Sequence, residues 1–285
     1  MKLARKRAVV TGASQGLGRS IAKLFSKEGA DVLVCARNAT DLEIAKKEIL
    51  AEAQGHVLVQ TANIAVEADV EKLAKRAAED LGGLDVLVCN AGVYGPKGAI
   101  DELDWESWVD AIQINLLGTV FCCRSFLPLL RASERGKIIL LSGGGATKPL
   151  PFLSAYAASK AAVVRFGETL AGELRASGID VNSVAPGALN TRMLQEVLDA
   201  GPEKVGTAFY EASVKQRDLG GTPLELGANL CLYLASDESN GITGKLVSAA
   251  WDPWQQLHHH RQELDETDVY TLRRIVPQER GFPWG

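Results

Sequence analysis

Two residues of the segment AYAASK can do proton chemistry together, Tyr156 and Lys160. They stand at i and i+4, so a helix carries both on one face. A free phenol, with a pKa of about 10, holds its proton too tightly to act as acid or base at neutral pH. An ammonium beside it stabilises the phenolate and brings that value toward the working range. The pair therefore reads as an acid/base site, set against the plainer reading of an ordinary helix face. Upstream, IILL runs into SGGGATKPLPFLS, which places Ser142 beside three glycines.

Such a pair needs a frame. The chain has 285 residues, 46% of them hydrophobic, which is near the upper end for one domain and enough to bury a large core. Apolar runs predict strands at 8–11, 31–36, 56–61, 84–89, 137–142, 180–184 and 245–249. Segments of period near 3.6 between them, such as 20–27, 42–52, 70–81 and 105–130, predict helices. The strands lack strict alternation, as expected when both faces are buried in a parallel sheet. The fold class is α/β: a doubly wound, seven-stranded parallel sheet with helices on both faces. Residues 1–250 form one domain, and 251–285 form an extension packed on it or on a neighbouring subunit.

The net charge of -4 does not favour nucleic-acid binding. No apolar run approaches the roughly 18 residues of a membrane span, and the basic N-terminus lacks the apolar core of a signal peptide. Cys35, Cys89, Cys122, Cys123 and Cys231 show no paired spacing and read as reduced core residues of a cytoplasmic protein. Three adjacent histidines, His258–His260, have no acid or cysteine at ligand spacing, so no metal site is expected.

TGASQGLGRSIAKLF puts Gly12, Gly16 and Gly18 between the first strand and the first helix. Glycine there lets backbone approach a pyrophosphate, and the helix N-terminus offers free N–H groups and positive dipole. Glycine-rich turns of this kind often merely connect β to α, but the flanking strand and helix supply the context of a dinucleotide site. An acid ending the second strand would bind a ribose 2′-hydroxyl, whereas an arginine accepts a 2′-phosphate. Here Ala36 holds the acid's place and Arg37 and Asn38 follow, which favours NADP(H), with NAD(H) possible. The alternative is that Arg37 is a solvated surface charge.

Over residues 5 to about 250 the chain resembles the short-chain dehydrogenase/reductase family. The resemblance rests on TGASQGLG, CNAG at 89–92, Asn115 in QINLLG, YAASK and PGALNT at 186–191, five motifs in the family's order. It implies hydride transfer between a nicotinamide and a small-molecule carbonyl or alcohol, with Tyr156, Lys160, Asn115 and Ser142 as the catalytic set. It assigns Gly12, Ser14, Gln15, Gly16, Leu17 and Gly18 to the phosphate end of the cofactor, and Asn63 and Ile64 to the adenine. Asn90, Ala91 and Gly92 would line the ribose and nicotinamide side. Pro186, Gly187, Leu189 and Thr191 would hold the carboxamide end, and Lys160 the ribose hydroxyls. In the family the asparagine distorts its helix and holds a water behind the lysine. Three departures stand out: Cys89 replaces the first Asn of NNAG, Asn63 replaces an acid, and Gln15 stands where many NADP-dependent members have a basic residue. Members usually pair through the long helices after strands four and five, implying a homodimer or homotetramer.

The family's carbonyl-orienting serine usually lies thirteen residues before the tyrosine, which here is Gly143; Ser142 lies one position earlier. Three readings stay open. The glycine run lets the register slip and brings Ser142 into place. Alternatively, backbone N–H groups, Thr147 or Ser154 polarise the carbonyl. Or the group is lost, leaving a slow reductase or a non-redox enzyme such as a dehydratase or epimerase, with a non-catalytic dinucleotide-binding regulator as the remaining rival. Residues 192–220 look helical with a break at Gly201–Pro202, as a mobile substrate cap would be. The 94–98 segment forms another wall. Trp105 and Trp108 are expected to pack at the start of the long helix, and Val269, Tyr270, Leu272, Ile275 and Val276 to dock the tail.

Overall fold

The inner strands bury both faces, and this is what doubles the core. In the computed structural model, which describes residues 1–284, Ala8 and Val10 of the first strand point into one apolar layer and Val9 into the other. Strands β1 (Arg7–Thr11), β2 (Asp31–Ala36), β3 (Val57–Thr61), β4 (Val86–Cys89), β5 (Lys137–Leu141), β6 (Asp180–Ala185) and β7 (Lys245–Ser248) form one sheet. Its order is β3-β2-β1-β4-β5-β6-β7, and every neighbouring pair is parallel. All seven strands fall where the apolar runs put them, with ends shifted by a residue or two. Helices α1 (Gly16–Lys27), α2 (Ala39–Leu50) and α10 (Leu224–Ala235) cover one face; α3 (Glu67–Arg76), α5 (Gly118–Arg131) and α6 (Ser154–Leu174) cover the other.

The long helix expected over 105–130 is interrupted. It runs as α4 (Trp105–Ile112), a widened π turn at Gln113–Leu117, and α5. The whole segment, 105–131, is long and apolar enough by length and composition to cross a membrane, although no single apolar run is. Here it packs against α3, α6 and β4. Trp108 stacks on Trp105 at 5.3 Å and donates to Ser154 Oγ at 3.1 Å. Trp105 packs on Trp108 as expected, yet stays 66% exposed, because helix α4 lies on the outer rim.

The cap over 192–219 breaks at Gly201–Pro202 as read from the sequence, and again at Gly206. It comprises α7 (Arg192–Ala200), α8 (Pro202–Val205) and α9 (Thr207–Leu219). Both glycines sit at positive φ, +78° and +81°, where other residues strain. After β7 the chain returns along the sheet edge through α11 (Arg261–Glu266). There Leu246 N–H donates to the Tyr270 carbonyl at 2.8 Å, and the buried Lys245 ammonium donates to the carbonyls of Thr267 and Val269. Val269 and Ile275 are half exposed; the extension docks instead through Trp254, Leu257 and Leu264, which are buried in the core, and through Tyr270 packed against it.

One buried charge cluster locks β5 to β6. Asp180 accepts from Lys137 Nζ at 2.8 Å and from Arg135 Nε and Nη2 at 3.1 and 2.9 Å, and the Gly241 N–H donates to it as well. Burial pushes the Lys137 pKa down against the pull of Asp180. Removing the carboxylate leaves a buried, uncompensated ammonium. Asp180→Ala is therefore expected to lose about 3–5 kcal/mol in denaturant unfolding; a loss below about 1 kcal/mol would show that the cluster is not what joins these strands.

Candidate active site

The strand order reverses at β1: the chain leaves it toward β2 on one side, while β4 flanks it on the other. The loops after β1 and β4 therefore diverge and open a crevice at the carboxyl ends of the strands. That crevice is a cleft of about 990 Å³. Every residue read from the sequence as a cofactor contact opens onto it, from Gly12 at one end to Thr191 at the other, and so do Ser142, Tyr156 and Lys160. Asn115 is fully buried behind it.

The glycine loop has a steric reason for each glycine. Gly12 holds φ +66°, and a Cβ there would stand 2.7 Å from Ala91 Cα. Gly16 holds φ +55°, and a Cβ on Gly18 would overlap Asn90 Nδ2 and the Gly12 carbonyl. Asn90 closes the cradle, donating to the Thr11 and Gly12 carbonyls at 2.9 and 3.1 Å. The N–H groups of Asn90 and Ala91 share the Thr11 hydroxyl at 3.0 and 3.1 Å, so β1 and β4 exit together. Helix α1 begins at Gly16 with no side-chain cap and no acid in its first turn. Its free N–H groups face the cleft and fit a phosphate.

No acid ends β2, where Ala36 stands, although Asp41 in the first turn of α2 also lines the cleft. Arg37 is exposed and makes no ion pair or hydrogen bond among the described residues, whereas Arg19 is taken up by Glu48 at 3.0 Å. Asn38 Oδ1 caps α2 by accepting from Asp41 N–H at 3.0 Å, and Asn63 Oδ1 accepts from Ala65 N–H at 3.2 Å. Both asparagines thus spend their carbonyl oxygens on loop geometry. These residues fit a dinucleotide with an anionic group near Arg37.

Asn115 lies in the π turn, and its carboxamide is fully used. Its Oδ1 accepts from Val93 N–H at 2.8 Å, and its Nδ2 donates to the Val93 carbonyl at 2.8 Å and to Ser159 Oγ at 2.9 Å. The loop leaving β4 is thereby pinned to α6, one residue before Lys160. Lys160 is buried and donates to the Leu141 carbonyl at 2.8 Å. A Cβ on Gly92 would come within 3.3 Å of Nζ and 3.2 Å of Asn115 Oδ1, so glycine there leaves the ammonium its room. Burial pushes the Lys160 pKa down to about 8, partly offset by Cys89.

Tyr156 departs from the simplest electrostatic expectation. Its Nζ neighbour is 5.8 Å from the ring centroid, and burial, followed by Tyr94, pushes the phenol up rather than down. Desolvation outweighs a cation that faces a backbone carbonyl instead of the hydroxyl.

The serine question resolves into two separate positions. Ser142 N–H donates to the Val184 carbonyl at 2.8 Å, so the β5–β6 ladder continues through it without a slip. Ser142 Oγ lines the cleft, is buried, and has no hydrogen-bond partner among the described residues. The position whose Cβ points at the Tyr156 hydroxyl is Gly143, and a side chain there would collide with it. Backbone does not forbid a serine, since Gly143 is extended at φ −173°. The tyrosine fills that space instead. Thr147 opens onto the cleft, but Ser154 does not and is held by Trp108.

The part of the cleft beside the cap is walled by Tyr94, Leu150, Met193, Val197 and Phe209, and the exposed Trp251 also lines it. Met193, Phe209 and Trp251 were not picked out as contacts in the sequence. Met193 and Phe209 signal only as apolar residues on an otherwise polar cap, which does not say which way a helix turns, and Trp251 only as an aromatic after β7.

A family model for short chain dehydrogenases matches residues 6–201. Glucose 1-dehydrogenase of Gluconobacter oxydans (strain 621H) is 34% identical, over 86% of this chain and 91% of that protein. Among solved structures, levodione reductase superposes with a TM-score of 0.80 at 25% identity, covering 90% of this chain and 99% of that one. Actinorhodin polyketide ketoreductase with NADPH gives 0.77 at 29% identity, over 85% and 95%.

A buried lysine with a lowered pKa costs stability while it carries a proton. The unfolded chain binds that proton more tightly, so the cost is full below pH 8 and fades between pH 8 and about 10.5. Lys160→Met should therefore raise cofactor-free stability at pH 7 by an amount on the order of 3 kcal/mol. Calorimetry against pH checks this. A gap that did not close by pH 10.5 would mean that charge burial is not its cause.

Proposed function

Because the chain belongs to the short chain dehydrogenase family and is an NAD(P)-dependent oxidoreductase acting on alcohol or carbonyl groups, we propose that Tyr156 is its general acid/base, served by Lys160, Asn115 and Ser142. The observation that carries this is the convergence of Tyr156, Lys160 and the glycine cradle on one cleft. When bound, the nicotinamide ring supplies hydride to a carbonyl carbon or takes it from an alcohol. Tyr156 gives its proton to the carbonyl oxygen in reduction and takes it back in oxidation. Lys160 would hold the ribose hydroxyls, and its positive charge would lower the cost of the proton's departure from the phenol. Asn115 fixes both by holding the β4 exit against α6. The buried Ser142 hydroxyl, whose hydrogen-bonding capacity no protein group uses, orients the substrate oxygen.

The cofactor we favour is NADP(H), with NAD(H) as the weaker binder; the unpaired Arg37 and the missing acid at Ala36 support this. We place the protein in the cytoplasm, a setting suited to five unpaired, buried thiols. The exposed Trp105, Val109 and Leu117 on the outer face of the 105–131 helices support a homodimer or homotetramer. Residues 1–250 serve as one catalytic domain, with 251–285 as its extension.

Tyr156→Phe should lower turnover, followed at 340 nm with a ketone panel, by about 10²–10⁴-fold while NADPH binding stays within threefold; undiminished turnover sinks the assignment. Ser142→Ala should cost about tenfold or more in kcat, and full activity would transfer the role to Thr147 or backbone. Arg37→Ala should weaken NADPH by about 10–100-fold and leave NADH nearly unchanged. Equal weakening of both would make Arg37 a general charge.

A further inference from the structure

The tyrosine is held from an unexpected side. No hydrogen bond from the described residues reaches its hydroxyl, and Gly143 offers no side chain against it. The ring contact that remains is Tyr94, which meets the Tyr156 ring edge-to-face with centroids 4.6 Å apart at 62°. Such pairs are worth more than their buried area.

Tyr94 is itself fixed at three points. On one side Val93 exchanges both backbone bonds with Asn115. On the other, Gly98 N–H donates to the Phe152 carbonyl at 3.0 Å. Between them the Lys97 ammonium lies 5.6 Å from the centre of the Tyr94 ring, and its side chain is only 13% exposed. The carboxylate near that ammonium belongs to the cap: Glu196 of α7, at 3.7 Å. Glu196 also pairs with Arg192, one turn earlier, at 3.4 Å. A continuous line of contacts therefore runs from the cap through Glu196, Lys97 and Tyr94 to Tyr156. Burial and the nearby Glu196 push the Tyr94 phenol up, so it keeps its proton and does not compete as the acid.

We propose that Tyr94 is a positioning residue for Tyr156, and that the Lys97–Glu196 ion pair makes this positioning depend on closure of the 192–219 cap. The inference rests on the reading of Tyr156 as general acid/base. With the cap closed, Glu196 balances the charge of a nearly buried ammonium that donates to the Gly95 carbonyl at 3.4 Å, the ammonium draws the Tyr94 ring inward, and the ring edge fixes the Tyr156 plane. With the cap open, Lys97 loses its carboxylate, and the 94–97 segment loses that reason to hold its shape. The link takes over the restraint that a side chain at position 143 would provide. It lets the cap report substrate occupancy to the proton carrier.

The test uses the full chain labelled with 3-fluorotyrosine and saturated with NADP⁺; the sequence has five tyrosines, and the Tyr156 signal is assigned with Tyr156→Phe. Tyr94→Leu should broaden or split the Tyr156 fluorine resonance, and Tyr94→Phe, which keeps the ring, should restore a single line. Lys97→Met should perturb the same resonance and speed hydrogen exchange across residues 192–200 by about threefold, the scale of one ion pair. An unchanged Tyr156 signal in Tyr94→Leu overturns the positioning role, and unchanged exchange in Lys97→Met overturns the coupling to the cap. Should Tyr94→Leu not fold, Glu196→Gln, on a surface helix, must give the Lys97→Met result or the proposal fails. None of these readouts needs turnover. If Tyr156→Phe proved fully active while they responded as stated, the general acid/base reading would fall and the mechanical link would stand.

Discussion

The site depends on the carboxamide of Asn115. It is a buried polar group with three hydrogen bonds, two to the backbone of Val93 and one to Ser159, and it stands where the helix widens into a π turn. A normal α turn would place the asparagine elsewhere on the helix surface. In the widened turn it bridges the exit of β4, which lines the cleft, and the first turns of α6, which carry the Tyr156–Lys160 pair. Leaving those backbone groups unpaired in a buried site would cost about 1–3 kcal/mol each, so the bridge also fixes the geometry. Gly92, whose missing side chain leaves room for both Asn115 Oδ1 and Lys160 Nζ, belongs to the same unit.

Around this bridge burial acts on two titratable groups in opposite senses. It drives the Tyr156 phenol up, away from neutral pH, and the Lys160 ammonium down, toward it. The ammonium itself faces the Leu141 carbonyl. The sheet behind is held by the Asp180 cluster and by Asp85, which takes Arg7 and Ser133 at the opposite end of the strands.

The sheet was legible because buried parallel strands are short continuous apolar runs, and DVLVCA or KIILL can hardly be read otherwise. The glycine loop and the Tyr–Lys spacing were legible because they are local. What stayed hidden is tertiary. Ser142 and Gly143 differ by one position along a strand, and only the ladder bond to Val184 shows that the register does not slip. Trp105 reads as a packing residue, but the pattern does not say that helix α4 sits at the rim and leaves its outer side exposed. The Tyr94–Lys97–Glu196 line joins residues about a hundred positions apart, and no pattern in either segment announces the other. The direction of the Tyr156 shift was hidden for the same reason: spacing places the lysine on the right helix face, but not which acceptor its ammonium chooses.

The central claim is hydride transfer in this cleft with Tyr156 carrying the proton. The most direct test incubates the protein with NADPH deuterated at nicotinamide C4 and a panel of ketones, and weighs the product alcohols by mass spectrometry. The account predicts one deuterium on the carbinol carbon with the native chain, and essentially none in the same time with Tyr156→Phe. Label transfer of equal extent in the variant, or none from any ketone with the native chain, would contradict it.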